Sequence, residues 1–210
     1  MNRVELTGTI VGNKYLVKDF GGSQLYTFIL KFRSSEAEGN FQYIEVNVSS
    51  ACAGFLNIKD GKFVRIVGSL RNRINNKALS NMPRVVTLVY ANTITSCDEV
   101  FWVNEVKISG EVNTNGAFYK AFADSSRRFC RRTIFVPALK GKRAMISLIG
   151  WGSLAEDLRN LNQQESSNCE IIGRLSGHSY RYKVDGSRAI GVCHSIEVLV
   201  DSYSLIDSVV

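Results

Sequence analysis

The sequence predicts an all-β protein made of two tandem copies of one five-stranded unit, each with one short helix between its third and fourth strands. Three observations predict it. The chain has 210 residues, the length of two domains of about 100 residues. Its 17 Gly against 2 Pro, with many Val, Ile, Thr, Phe and Tyr, suit strands joined by tight turns. The third observation is an internal repeat, which fixes domain organisation more firmly than composition does.

Asn2-Arg3-Val4-Glu5-Leu6-Thr7-Gly8 aligns with Asn104-Glu105-Val106-Lys107-Ile108-Ser109-Gly110, a shift of 102 residues from Asn2 to Asn104. The same shift sets Ile44, Val46 and Val48 on Ile146, Leu148 and Gly150, and Ser49 on Trp151. Those alternating positions point one way from a strand. Ile66-Val67-Gly68-Ser69-Leu70 matches Ile171-Ile172-Gly173-Arg174-Leu175 at a shift of 105. The polar stretch from Asn162 to Asn168 accommodates the added residues.

Strands in the first copy are expected over Asn2–Asn13, Leu25–Arg33, Phe41–Val48, Lys62–Arg73 and Arg84–Thr95, with a helix over Ser50–Leu56. In the second they fall at Asn104–Val112, Phe118–Phe122 with Phe129–Val136, Arg143–Gly150, Asn168–Gly177 and Val192–Leu205. A second helix is expected over Ser153–Leu161. Leu154, Leu158 and Leu161 recur there at helical spacing, and Ser153 to Glu156 has the Ser-x-x-Glu form of a capping box. Five strands with a helix between the third and fourth is the order of an OB-fold. The expected domains are residues 1–98 and 102–210, joined near Ser96 to Glu99.

Apolar residues make up 45% of the chain and charged residues 21%, which excludes disorder and coiled coils. Lys and Arg number 26 against 19 Asp and Glu, a net charge of +7 that suits a polyanionic partner. The start lacks a signal-peptide pattern and no apolar run is long enough for a membrane span. The reading is cytoplasmic, with no membrane partner. Cys52, Cys97, Cys130, Cys169 and Cys193 form no CxxC pair, so they are expected to be reduced, without a disulfide framework or zinc.

At Met1-Asn2-Arg3-Val4 and at Gly61-Lys62-Phe63-Val64-Arg65-Ile66-Val67-Gly68-Ser69-Leu70-Arg71-Asn72-Arg73 the chain resembles the bacterial single-stranded DNA-binding protein family. The family opens M-N-K-V-x-L-x-G and carries G-x-x-V-x-I-x-G-x-L-R-x-R after its helix. Trp151-Gly152-Ser153-Leu154-Ala155-Glu156 is similar to the family's F-G-K-L-A-E entry into that helix. The resemblance implies stacking positions at Tyr43, where the family commonly has Trp, at Trp151, and at Tyr180 in the loop after the fourth strand. It also implies that a chain with two barrels pairs into a homodimer presenting four OB-folds. The family's acidic tail has no counterpart in Leu205-Ile206-Asp207-Ser208-Val209-Val210, so recruitment of partner enzymes through such a tail is not expected.

Binding a single strand without strong sequence preference requires a cationic groove and aromatic faces for unpaired bases. Alternation sends Ile44, Val46 and Val48 to the core and Phe41, Tyr43, Glu45 and Asn47 outward. Outward aromatics need a ligand or another chain to cover them; a dimer interface is the alternative to base stacking. Lys31 and Arg33 alternate with Phe28, Leu30 and Phe32, while Arg71, Arg73 and Lys77 run along the fourth strand into the next loop. The densest basic stretch, Ser126 to Arg143, has no acidic residue and interleaves Phe129 and Phe135 with Arg131, Lys142 and Arg143. Charge is shared, with 12 basic and 8 acidic residues through Val100 and 14 and 11 beyond, so both copies are candidate binders.

No catalytic motif is visible. His178 and His194 have no metal-ligand spacing, and Cys193 and His194, as strand neighbours, face opposite ways. The expectation is a non-enzymatic, cofactor-free protein that binds single-stranded DNA in replication, recombination or repair. An OB-fold adaptor in a replication complex and a single-stranded RNA binder are the alternatives, which fold alone does not separate.

Overall fold

The computed structural model describes residues 1–19, 24–34, 39–74, 84–113, 118–121, 128–138, 141–161, 168–183 and 190–206. Strands dominate: β1 Asn2–Asp19, β2 Gln24–Arg33, β3 Phe41–Ala53, β4 Phe63–Ile74, β5 Val85–Ser96, β6 Asn104–Val112, β7 Phe118–Ala121, β8 Arg128–Pro137, β9 Arg143–Trp151, β10 Asn168–Lys183 and β11 Ile190–Leu205. One α-helix, α1 Ser153–Asn160, and a 3-10 turn at Phe55–Asn57 complete the described elements. No described helix is long and apolar enough to cross a membrane.

The chain divides into two compact units. An amino-terminal unit contains Val4–Asn104 and Ser176–Ile196, and a carboxy-terminal unit contains Met1–Arg3, Glu105–Leu175 and Glu197–Val210. The described part of the β10–β11 hairpin within Ser176–Ile196, from the second repeat, thus groups with the first repeat.

Within the amino-terminal unit, β1 pairs antiparallel with β2, β2 with β3 and β4 with β5, while β3 and β5 run parallel and β4 pairs back to β1. Leu6, Phe28, Leu30, Phe32, Ile44, Val46, Ile66 and Leu70 are fully buried between these strands, each a side chain whose burial is worth roughly 1.5–3 kcal/mol. In the carboxy-terminal unit β6 and β7 both pair with β8, β8 with β9, β9 runs parallel to β11, and β10 pairs with β6. The pairing order repeats, and so do the close approaches that need glycine. A Cβ at Gly8 would collide with the Lys31 carbonyl, and one at Gly110, 102 residues later, with the Phe135 carbonyl.

Four expectations need correction. The helix expected over Ser50–Leu56 is absent: β3 continues to Ala53, which pairs with Thr93, and Gly54 at φ 83° turns the chain into a single 3-10 turn. The first strand does not stop at Asn13 but runs to Asp19, paired with β2 through Leu16 opposite Tyr26. In the second repeat β7 takes that outer place against β8, so Phe118 belongs with the continuation of the first strand rather than with the second. The Ser153–Glu156 capping box does not form. Gly152 is the N-cap, with φ 61°, no side chain caps the helix, and Glu156 pairs instead with Arg128.

The segment between the repeats packs on the amino-terminal unit. Thr7 N–H donates to the Val103 carbonyl (2.9 Å), Thr7 Oγ1 donates to the Phe101 carbonyl (2.6 Å), and Val103 N–H donates to Thr7 Oγ1 (2.7 Å). All five cysteines are free thiols.

Candidate nucleic-acid interface

In the amino-terminal unit, the outer sides of β2 and β3 bring the expected residues together. The register sets Lys31 opposite Tyr43 and Arg33 opposite Phe41, and strand alternation puts all four on the face away from the buried Leu30 and Ile44. Lys31 Nζ lies 4.3 Å from the Phe41 ring centre and Arg33 Cζ 5.9 Å from it. Tyr43 is 38% exposed. Phe41 is half-buried, because Trp102 packs edge-on against it at 5.4 Å and against Phe63 at 5.2 Å. Arg33 Cζ also lies 5.2 Å from the Trp102 ring.

Sequence reasoning missed Trp102 as a member of this cluster. The adjacent Phe101 and Trp102, just beyond the expected joint, were the available signal.

The fourth-strand cations have different surroundings. Arg71 Cζ stands 3.5 Å from the Tyr90 ring centre, and burial lowers its pKa, with Tyr90 opposing. Arg73 Nη2 is 2.8 Å from Glu45 Oε2. Alternation does turn Glu45 away from the core, yet it is only 8% exposed; burial raises its pKa and Arg73 counteracts that. Lys77 lies outside the described residues.

Beside Tyr43 and Gln42 lie His194 of β11 and Gly177 of β10. Gly177 N–H donates to Gln42 Oε1, and the His194 ring centre is 6.1 Å from that of Tyr43 at an interplanar angle of 38°. Ser179 Oγ and His194 Nδ1 are hydrogen bonded at 3.0 Å, and burial lowers the His194 pKa. Tyr180 is half-buried in this hairpin. It lies within β10 and not in a loop, since the strand continues to Lys183.

In the carboxy-terminal unit the aromatic group sits at the other end of the corresponding strands. Phe129 is opposite Trp151, with ring centres 5.0 Å apart, and Phe118 lies 6.0 Å from Phe129. Trp151 is 51% exposed, so it is not packed into the core beside α1. Phe135 is half-buried opposite the exposed Met145.

The basic run reads differently in three dimensions. Arg131 Nε lies 3.0 Å from Glu197 Oε1, Arg143 Nη1 lies 2.7 Å from Glu111 Oε2, and Arg128 pairs with Glu156. Arg132 is 1% exposed. It donates to the carbonyls of Leu158 (2.8 Å), Asn113 (2.9 Å) and Arg159 (2.7 Å), so its charge satisfies the carbonyl end of α1. Lys142 is exposed.

Among the described residues no cluster of three or more His, Cys, Asp or Glu is placed to hold a metal. Cys193 is 4% exposed and burial raises its pKa, the opposite of what an activated thiol requires.

The sequence matches no protein-family model and no curated protein. Solved structures do match. The wild-type single-stranded DNA binding protein from Thermus aquaticus aligns at 17% identity and TM-score 0.72, over 99% of this chain and 94% of that one. A deletion mutant of the same protein aligns at 16% identity, also at TM-score 0.72, over 99% and 95%. At that identity the likeness is one of fold.

Proposed function

We propose that the protein binds single-stranded DNA with little sequence preference, each repeat forming an OB barrel that stacks bases on aromatic rings and contacts phosphates through Lys and Arg. The observation that carries this reading is the pair of exposed rings, Tyr43 and Trp151, on the outer sides of the equivalent strands β3 and β9. Each has an aromatic neighbour and cations on the same sheet face. Lys31 and Arg33 lie with Tyr43 and Phe41, and Arg71 lies over Tyr90 on β5; Phe129 and Arg131 lie with Trp151. Rings exposed beside cations are what an unpaired, negatively charged strand requires, and two linked sites raise each other's effective concentration.

In this reading the protein is a non-enzymatic partner of DNA exposed in replication, recombination or repair, and it acts as a homodimer with four barrels. Arg73, Lys77, Phe135, Lys142, Arg143 and Tyr180 extend the proposed contact surface. Tryptophan fluorescence titrated with oligo-dT, oligo-U and duplex DNA at two salt concentrations tests it. Quenching by oligo-dT that weakens steeply with salt is expected, because phosphate contacts release counterions. Stronger binding to oligo-U would make RNA the ligand, and no binding to either at low salt would overturn the reading.

A further inference from the structure

We propose that His194 forms a second wall facing the Tyr43 platform, so that the β10–β11 hairpin of the second repeat completes the strand site of the amino-terminal unit. The inference rests on the strand-binding reading above and adds a residue and an element to it. Two contacts place these strands of the hairpin on β3: Gly177 N–H to Gln42 Oε1, and the His194 ring beside the Tyr43 ring. A Cβ on Gly177 would stand 3.1 Å from the Tyr43 carbonyl oxygen, a tight contact, so this strand runs close against β3.

The spacing suits a base. A stacked base occupies about 3.4 Å along a strand, so a base between two rings needs their planes roughly 7 Å apart. The Tyr43 and His194 ring centres are already 6.1 Å apart at 38°. Parallel alignment and a small outward movement of the hairpin would admit one base. Ser179, hydrogen bonded to His194 Nδ1, sets the ring's orientation, and Lys31, opposite Tyr43 on β2, is placed to meet the adjoining phosphate. Cys193 is buried on the other side of β11, which anchors the strand and turns His194 towards β3.

The test is binding of the full chain to labelled oligo-dT at low salt, with thermal melting of each variant as the fold control. His194→Ala is expected to weaken binding about 5-fold or more, the loss of one stacking partner. His194→Phe, which keeps a ring, is expected to restore affinity to within about twofold of the unsubstituted protein if the ring is what matters. Unchanged binding by His194→Ala would overturn the inference. Tighter binding would also overturn it, since the hairpin would then be a cover over Tyr43. A His194→Phe protein that melts normally and binds as weakly as His194→Ala would overturn it too. Should His194→Ala fail to fold, Ser179→Ala removes only the orienting hydrogen bond; about twofold weakening supports the inference and none overturns it. Failure of the unsubstituted protein to bind would instead overturn the strand-binding reading itself.

Discussion

On the outer face of the amino-terminal unit, Lys31, Arg33 and Arg71 rest on the rings of Phe41, Trp102 and Tyr90. In the carboxy-terminal unit, Arg128, Arg131 and Arg143 rest on the carboxylates of Glu156, Glu197 and Glu111. A cation on a ring keeps its full charge for a phosphate, whereas an ion-paired arginine must first exchange its partner. The second repeat has the denser basic sequence, yet Arg128, Arg131 and Arg143 of that basic stretch are each ion-paired. Charge density along a chain and charge available on a surface are therefore different quantities.

The largest expected effect lies beneath those faces. Phe28 is opposite Val46 and Arg132 opposite Leu148; since the repeat superposes Val46 on Leu148, Phe28 and Arg132 hold equivalent places. Both are buried. Between β3 and β4 the first repeat has a 3-10 turn and fills the place with a ring, while the second has α1 and fills it with a donor for three carbonyls. Arg132→Phe should strand those carbonyls and destabilise the carboxy-terminal unit by about 3–5 kcal/mol. Hydrogen exchange should accelerate through Ser153–Asn160 and leave the amides of β2 and β3 protected. Unchanged exchange in α1 would show that Arg132 does not hold the helix.

Next comes stacking. Tyr43→Ala and Trp151→Ala should each weaken oligo-dT binding by about 1–3 kcal/mol, and Met145→Ala, at the place corresponding to Tyr43, should change it little. Trp151→Ala should also remove most of the fluorescence quenching, because Trp102 is edge-packed between Phe41 and Phe63. Quenching carried wholly by Trp102 would move the second site away from β9.

Salt dependence sharpens the comparison of charges. Lys31→Ala should reduce the slope of log affinity against log salt by about 0.7, the value for one phosphate contact on a single strand. Arg131→Ala should reduce it less. Glu197→Gln should steepen it, by releasing Arg131. Equal slopes for the two alanine variants would mean that the ion pair opens freely and that the two faces are electrostatically alike.

The pattern legible in the sequence was the one carried by periodicity and repetition. Alternation correctly sent Ile44, Val46 and Val48 inward and left Tyr43 exposed, and the leucine spacing gave α1 its place. What was not legible depended on partners distant in sequence. No local feature ties Arg131 to Glu197 or brings Trp102 onto Phe41. Gly177 of β10 and His194 of β11 meet β3 more than a hundred residues away in the chain. Local rules also yielded to packing: the Ser-x-x-Glu pattern gave way when Glu156 found Arg128, and Gly54 with continued strand pairing replaced the first helix.

The smallest effect separates burial from pairing at Glu45, the one carboxylate described within the Tyr43 cluster. Burial raises its pKa and Arg73 only partly offsets this, so the folded protein holds the Glu45 proton more tightly than the unfolded chain does. Its contribution to stability is therefore fullest below the ordinary carboxylate range and is lost as pH rises through the raised value. Glu45→Gln lacks that titration. Melting curves of the two proteins from pH 4 to pH 7 should show the unsubstituted protein losing ground to Glu45→Gln as pH rises. The opposite trend would mean that Arg73 outweighs burial, and that the 2.8 Å pair stabilises the face. If the expected trend holds, the pair is a weak restraint on Arg73, and Glu45→Gln should also steepen the salt dependence of strand binding as Glu197→Gln does in the other unit.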